Sequence, residues 1–179
     1  MRMNSAPVKA GDLLVASPQM DDDFFNDSVI LISAVNAEAV VGFIINRPIS
    51  MPVSELAFEN LDDFYKTLKR RVFIGGPVDE SSLHLIAMSD FGGKEIVPGI
   101  RMGGNFNCAE EMLNSDERQN RLTLGYTAWG VEQLKGEIRN RDWIVYPNAS
   151  IADVFWEIDS GNMSTSKSAM AILGEFVGV

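Results

Sequence analysis

An apolar run, Gly42-Phe-Ile-Ile45, stops abruptly at Asn46, Arg47 and Pro48. Pro48 has no amide hydrogen and restricts Arg47 to extended backbone, so a strand has to end here. Two kinds of chemistry are open to the polar pair. Arg47 can grip a carboxylate or phosphate through two parallel hydrogen bonds while Asn46 orients the ligand. Alternatively, Asn46 bonds the adjacent backbone and Arg47 reaches one of Asp21 to Asp23, which closes the strand end on the protein itself. The turn Gly75-Gly76-Pro77 has the same duality. Its glycines can present amides to an anion, or can simply turn the chain tightly out of a strand.

His84 is the single histidine. It could serve as a general base, yet no GxSxG is present and no partner hydroxyl or thiol can be located. The other reading is a hydrogen-bonded structural histidine. In a strand it faces away from both Leu83 and Leu85. Cys108 stands at a predicted helix N-terminus, where a thiol pKa falls. It lacks a CxxC partner and equally suits a small buried hydrophobe. Asp21, Asp22, Asp23 and Asp27 could bind a hard cation, but their spacing is not that of an EF-hand loop; a solvated acidic turn is the simpler reading. One histidine and one cysteine cannot furnish a zinc site. No Walker lysine and no GxGxxG occur, which excludes the two familiar nucleotide loops. No metal and no cofactor is expected.

The balance of charges narrows the classes further. Fifteen Lys and Arg face twenty-five Asp and Glu, a net charge of −10. Nonspecific nucleic-acid binding draws its affinity from neutralising phosphates, so direct nucleic-acid binding is disfavoured. The only local basic cluster is Lys66-Thr-Leu-Lys-Arg-Arg71, which also suits a helix end complementing its dipole. No apolar stretch approaches membrane-spanning length, and the N-terminal residues lack a signal-peptide pattern. A lone cysteine fits a reducing compartment. These features predict a cytoplasmic protein without a membrane segment.

Positioning these residues requires a sheet with helices against it. Leu13–Ala16, Ser28–Val35, Val40–Asn46, Val72–Ile74, Ser82–Ala87, Leu122–Ala128 and Trp143–Tyr146 read as strands. The second and third are apolar at successive positions, which predicts burial on both faces, and Asn36–Glu38 supplies a hairpin turn between them. Helical spacing follows Asn60, Asn107 and Ser150, each with an acidic residue three positions on, and recurs over Val131, Leu134 and Ile138 and over Ala169, Ile172, Leu173 and Phe176. Gly125-Tyr-Thr-Ala-Trp-Gly130 leads into the Val131 helix, with Tyr126 and Trp129 on opposite faces if extended. Strands precede helices without a βαβα rhythm, which predicts an α+β fold. Residues 1–10 read as a flexible tail and 11–179 as a single domain.

Four segments, GDLLVASPQMDDDFFNDSVILI, VVGFIINRPI, VFIGGPVDESSLHLI and LGYTAWGVEQLKGEI, resemble the YqgE/AlgH family of small bacterial proteins. The resemblance implies a barrel-like, largely antiparallel sheet flanked by helices. It aligns Asp22, Phe25 and Ser28 with the family's approach to the second strand. Gly42, Asn46, Arg47 and Pro48 match its strand end, and Gly75, Gly76 and Pro77 its double-glycine turn. His84 falls where the family has a leucine-histidine pair, and Gly125, Tyr126, Trp129, Gln133 and Leu134 match its strand-to-helix junction. Relatives have a Thr- and Ser-rich stretch where this chain reads Met102-Gly-Gly-Asn-Phe106. The family has no established biochemical activity, and some members are labelled transcriptional regulators.

The expectation is a non-enzymatic binding or regulatory module. Asn46, Arg47, Gly75, Gly76 and His84 would line a groove for a small anion, a metabolite or a partner peptide. Its rivals are a hydrolase-type enzyme using His84 and a DNA-binding regulator using the Lys66–Arg71 cluster.

Overall fold

A run such as Val29–Ile32 offers no polar face, so a strand built from it has to be covered on both sides. The computed structural model of the chain describes residues 7–56, 71–88, 93–102 and 120–150. Its strands are β1 (Leu13–Ala16), β2 (Val29–Val35), β3 (Ala39–Ile44), β4 (Pro48–Pro52), β5 (Arg71–Ile74), β6 (Val78–Met88), β7 (Lys94–Val97), β8 (Ile100–Met102), β9 (Asn120–Gly130) and β10 (Trp143–Tyr146). A 3-10 turn, Val53–Glu55, follows β4, and helix α1 (Val131–Arg139) separates β9 from β10. The strands and the helix expected over these residues are all present, apart from small shifts of their ends.

The strands pair in the order β10-β1-β2-β3-β9-β6-β8-β7, with β5 joining β9 to β4. Every pairing is antiparallel except β5 with β9. The end strands β10 and β7 do not pair with each other, so the sheet is not closed into a barrel. That corrects the barrel-like architecture expected from the sequence. The flanking helices reduce to α1 among the described residues; those expected after Asn60, Asn107 and Ser150 and near Ala169 lie outside them. The sheet nevertheless curls far enough for its ends to meet through side chains. A Cβ on Gly11, before β1, would stand only 2.2 Å from Cγ1 of Val97 in β7.

The curl explains how β1–β3 are covered twice. Leu13, Val15, Val29, Leu31 and Phe43 point into one core against Ile86, Ile96 and Ile100 of β6, β7 and β8. Leu14, Ala16, Ile30, Ile32 and Ile44 point the other way, against Leu134 of α1, Trp129, Trp143 and the loop residues Met20, Phe24 and Phe25. Successive residues of a strand face opposite sides, so each apolar run feeds both cores.

Strand β9 ties the molecule together. Residues 122–124 pair with β5 and residues 127–130 with β3, while β6 runs along its other edge. Between the two partners sits Gly125 at φ +69°, left-handed backbone that glycine accepts without strain. Gly75 and Gly76 press against this bend: a Cβ on Gly76 would lie 2.1 Å from the Tyr126 carbonyl atoms, and one on Gly75 would lie 2.4 Å from the Gly125 oxygen. Both contacts are with backbone and cannot be relieved by a rotamer change. Gly76→Ala is therefore expected to destabilise the protein by about 1–3 kcal/mol or more. Gly136→Ala, in mid-helix with open space around its Cβ, should stabilise it by roughly 0.4–1 kcal/mol. Urea denaturation of the two variants reads both changes.

Candidate functional site

The polar end of β3 is spent on the loop between β1 and β2. Asn46 is buried. Its Oδ1 accepts the Val29 amide at 2.9 Å and its Nδ2 donates to the Asp27 carbonyl at 2.8 Å. It thereby holds Asp27 in left-handed backbone, φ +61°. Arg47 donates to the Asn26 carbonyl at 3.1 Å and to the Ser28 hydroxyl at 2.7 Å, and its guanidinium lies 5.2 Å from the centre of the Phe24 ring. Burial lowers the Arg47 pKa from its ordinary value, and the nearby Asp27 charge opposes that shift. The expected reach of Arg47 to Asp21–Asp23 is replaced by these contacts.

The loop also orders itself. Asp22 Oδ1 accepts the amides of Phe24 at 2.8 Å and Phe25 at 2.9 Å. At its other end, Ser17 bonds through its amide to the Asp142 carbonyl and through its hydroxyl to the Arg141 carbonyl, at 2.9 and 2.6 Å. Gln19 donates to the Asn140 carbonyl. The loop is therefore pinned both to β3 and to the segment joining α1 to β10.

Between the loop, the end of β9 and α1 lies a cleft of about 370 Å³, within the size range of small-molecule sites. Phe25, Trp129 and Trp143 form part of its wall together with Pro77 and Ala128. Phe25 stacks on Trp129 at 6.0 Å and meets Trp143 edge-on at 5.7 Å. Met20, Asp21, Asp22, Gln133, Glu137 and Asp142 complete the lining. Glu137 is held by three donors. Its Oε2 accepts both indole N–H groups, from Trp129 at 3.1 Å and Trp143 at 2.9 Å, and its Oε1 accepts Gln133 Nε2 at 3.1 Å.

The five residues expected to line a groove, Asn46, Arg47, Gly75, Gly76 and His84, do not meet in this cleft. Arg47 and Gly75 are neighbours through backbone: Ile74 donates to the Arg47 carbonyl and Ile44 to the Gly75 carbonyl, at 2.9 and 2.8 Å. The Gly75 amide is bonded to the Leu124 carbonyl at 2.7 Å, and Gly76 lies against Tyr126. Only their neighbour Pro77 reaches the cleft. His84 sits on the opposite side of β6 from Leu83 and Leu85, which serve another core with Val72 and Leu122. Its ring lies 5.1 Å from Phe43 and 6.0 Å from Tyr126, and its Nε2 is buried without a hydrogen-bond partner among the described residues. No Ser, Cys or carboxylate is bonded to it there. Cys108 and residues 66–70 of the basic cluster lie outside the described residues. Among those residues no group of three or more His, Cys, Asp or Glu could hold a metal ion, and no helix is long and apolar enough to cross a membrane. Tyr126 and Trp129 do fall in different cores, as their spacing predicts.

Trp143, Glu137 and Asp142 were missed as cleft residues. Gln133 and Glu137 stand i, i+4 on α1, four and eight positions after Trp129. That spacing places them on one helical face and was the available signal.

These parts define an α+β protein of open, curled, mostly antiparallel sheet, with a cleft beside its described helix. The chain belongs to the AlgH-like family, whose model matches residues 13–171. It is 30% identical over 175 residues to a UPF0301 protein of Chlorobaculum tepidum, across 94% of this chain and 89% of that one. A UPF0301 protein of Chlorobium chlorochromatii is 34% identical over 142 residues, 75% of this chain and 72% of its own. The solution structure of the AlgH protein from Pseudomonas aeruginosa matches with a TM-score of 0.70 at 21% identity, over 98% of this chain and 92% of that one. That likeness supports the fold alone. The crystal structure of a protein from Corynebacterium diphtheriae gives a TM-score of 0.65 at 25% identity, over 84% and 81% of the two chains. None of these names states an activity.

Two outcomes follow from the polar groups. Asn46→Ala strands a buried amide and a carbonyl, at an expected cost of about 1–3 kcal/mol in urea denaturation. Burial lowers the His84 pKa from its ordinary 6.5, with Asp79 opposing. The folded state thus prefers neutral imidazole, and the unfolded state binds more protons as the pH falls below 6.5. Wild-type stability should decline from pH 7.5 to pH 5 more steeply than that of His84→Phe, measured by urea midpoints at both pH values.

Proposed function

We propose that the protein is a non-enzymatic binding module of regulatory type, whose ligand docks in the cleft between the β1–β2 loop and α1. The single observation behind this reading is a cleft whose loop wall is fixed in place by Asn46, Arg47 and Ser17. A preformed concavity lowers the ordering cost of binding. An anion at Arg47 would have to compete with the Asn26 carbonyl and the Ser28 hydroxyl, and one at Gly75 with the Leu124 carbonyl. The cleft therefore replaces the strand end as the preferred docking place. A regulatory effect would pass through ligand occupancy and partner proteins, since a net charge of −10 opposes direct contact with DNA.

A mixed library of neutral, anionic and cationic metabolites, screened by the indole N–H resonances of Trp129 and Trp143, tests the reading. At least one compound should give saturable shifts. Ala128→Leu, an exposed position in the cleft wall, should abolish them while leaving the fold's spectrum unchanged. A library that moves neither indole, or hits that bind the blocked variant equally well, would sink it.

A further inference from the structure

Away from the cleft, we propose that His84 is an acid-sensitive latch on β6: protonation of its ring frees residues 78–85 from β9 while the rest of the sheet stays folded. The first observation behind this is the place of the ring. It lies against Phe43 of β3 and Tyr126 of β9, with 5.1 and 6.0 Å between ring centres, and its Nε2 is buried without a hydrogen-bond partner among the described residues. In imidazolium both ring nitrogens are donors, so Nε2 would carry an N–H and part of the positive charge with no acceptor. A buried charge without a partner costs far more than a buried neutral nitrogen. β3 presents only the Phe43 ring to it. β9 presents the Tyr126 phenol and, directly opposite in register, Thr123. The charge that acts on the imidazole is the Asp79 carboxylate, at the exposed start of the same strand.

The second observation is how lightly this part of β6 is held. Val78 stands opposite Tyr126 and Leu83 opposite Leu124, so residues 79–82 face the single bend residue Gly125. Residues 78–81 are exposed. On the other edge β8 pairs only with Ile86, Ala87 and Met88. Among the described residues, His84 is therefore held by one neighbouring strand, through the pairs of Leu83 with Leu124, His84 with Thr123 and Leu85 with Leu122. Segments with few buried contacts and exposed backbone open locally, at lower cost than the whole fold. Residues 86–88, paired on both edges, set the limit of the opening. Release carries the imidazolium into water and uncovers Phe43 and Tyr126 at that end of the inner core. Burial lowers the His84 pKa and Asp79 opposes the shift. The open state therefore takes up its proton first as the pH falls below 6.5, and acid favours opening.

Amide hydrogen exchange of the full chain at pH 7.5 and pH 5, corrected for the intrinsic pH dependence of exchange, tests the latch. Protection of residues 79–85 should fall roughly fivefold or more on acidification, toward a one-proton limit of about thirtyfold for a ring that titrates at 6.5 when open. Residues 29–32, at the centre of the sheet, should keep their protection. His84→Gln removes the ionisable ring and should leave residues 79–85 equally protected at both pH values. His84 is the single histidine, so the ring-nitrogen resonances of the wild type report its protonation directly. Their midpoint should lie below pH 6.5, and with the wild-type exchange profile this decides the matter if the variant folds poorly. The inference is overturned if the ring titrates at or above pH 6.5, or if residues 79–85 keep their protection at pH 5. It is equally overturned if residues 29–32 lose theirs to the same extent, or if His84→Gln responds to pH as the wild type does.

Discussion

The molecule depends on one close approach of backbone to backbone. β9 can serve both β5 and β3 only because it bends at Gly125, and the bend leaves room only for glycine opposite it. Gly75 occupies that room and joins the two halves. Its amide meets the Leu124 carbonyl in β9, and its own carbonyl receives the Ile44 amide at the end of β3. A side chain at either place would part strands whose hydrogen bonds define the sheet. The double glycine is thus a structural joint between the two cores, and the position of β3's end follows from it.

From that end the order passes outward. Once Ile44 is fixed, Asn46 and Arg47 project against the β1–β2 loop and set its path through backbone carbonyls and the Ser28 hydroxyl. The loop in turn brings Phe25 onto Trp129 and Trp143, and those indoles clasp the Glu137 carboxylate from β9 and β10. Three stretches of the chain, residues 20–25, Pro77 and residues 128–143, therefore shape a single concave surface. The residues that first attract notice by their chemistry act one step behind it, as supports.

Much of this was legible in the residues. Unbroken apolar runs at 29–32 and 40–45 announced strands buried twice, and the helical stripe of Val131, Leu134 and Ile138 is α1. Alternation placed His84 away from its leucine neighbours. Closure of the sheet was not legible. Whether a curled sheet joins its last strands depends on register and on packing such as Gly11 against Val97, which no local pattern encodes. Nor was the cleft. Its carboxylates come from the β1–β2 loop, from α1 and from the turn before β10, and only the three-dimensional path of the chain unites them. Asn46 and Arg47 showed the opposite problem. Their residue types suit a ligand or a turn equally, and only the positions of Val29, Asn26 and Asp27 decide what they hold.

The central place of β9 has a consequence for how the chain is made. The β2–β3 hairpin and strands β5 and β6 leave the ribosome well before residues 120–130, the strand whose edges they all share. At usual elongation rates that wait lasts on the order of ten seconds. During it the open edge of β3 and the long flank of β6 have no native neighbour, a condition that invites pairing with other chains. The nascent protein is thus most exposed to aggregation late in its synthesis, and the arrival of one segment ends that exposure for both halves at once.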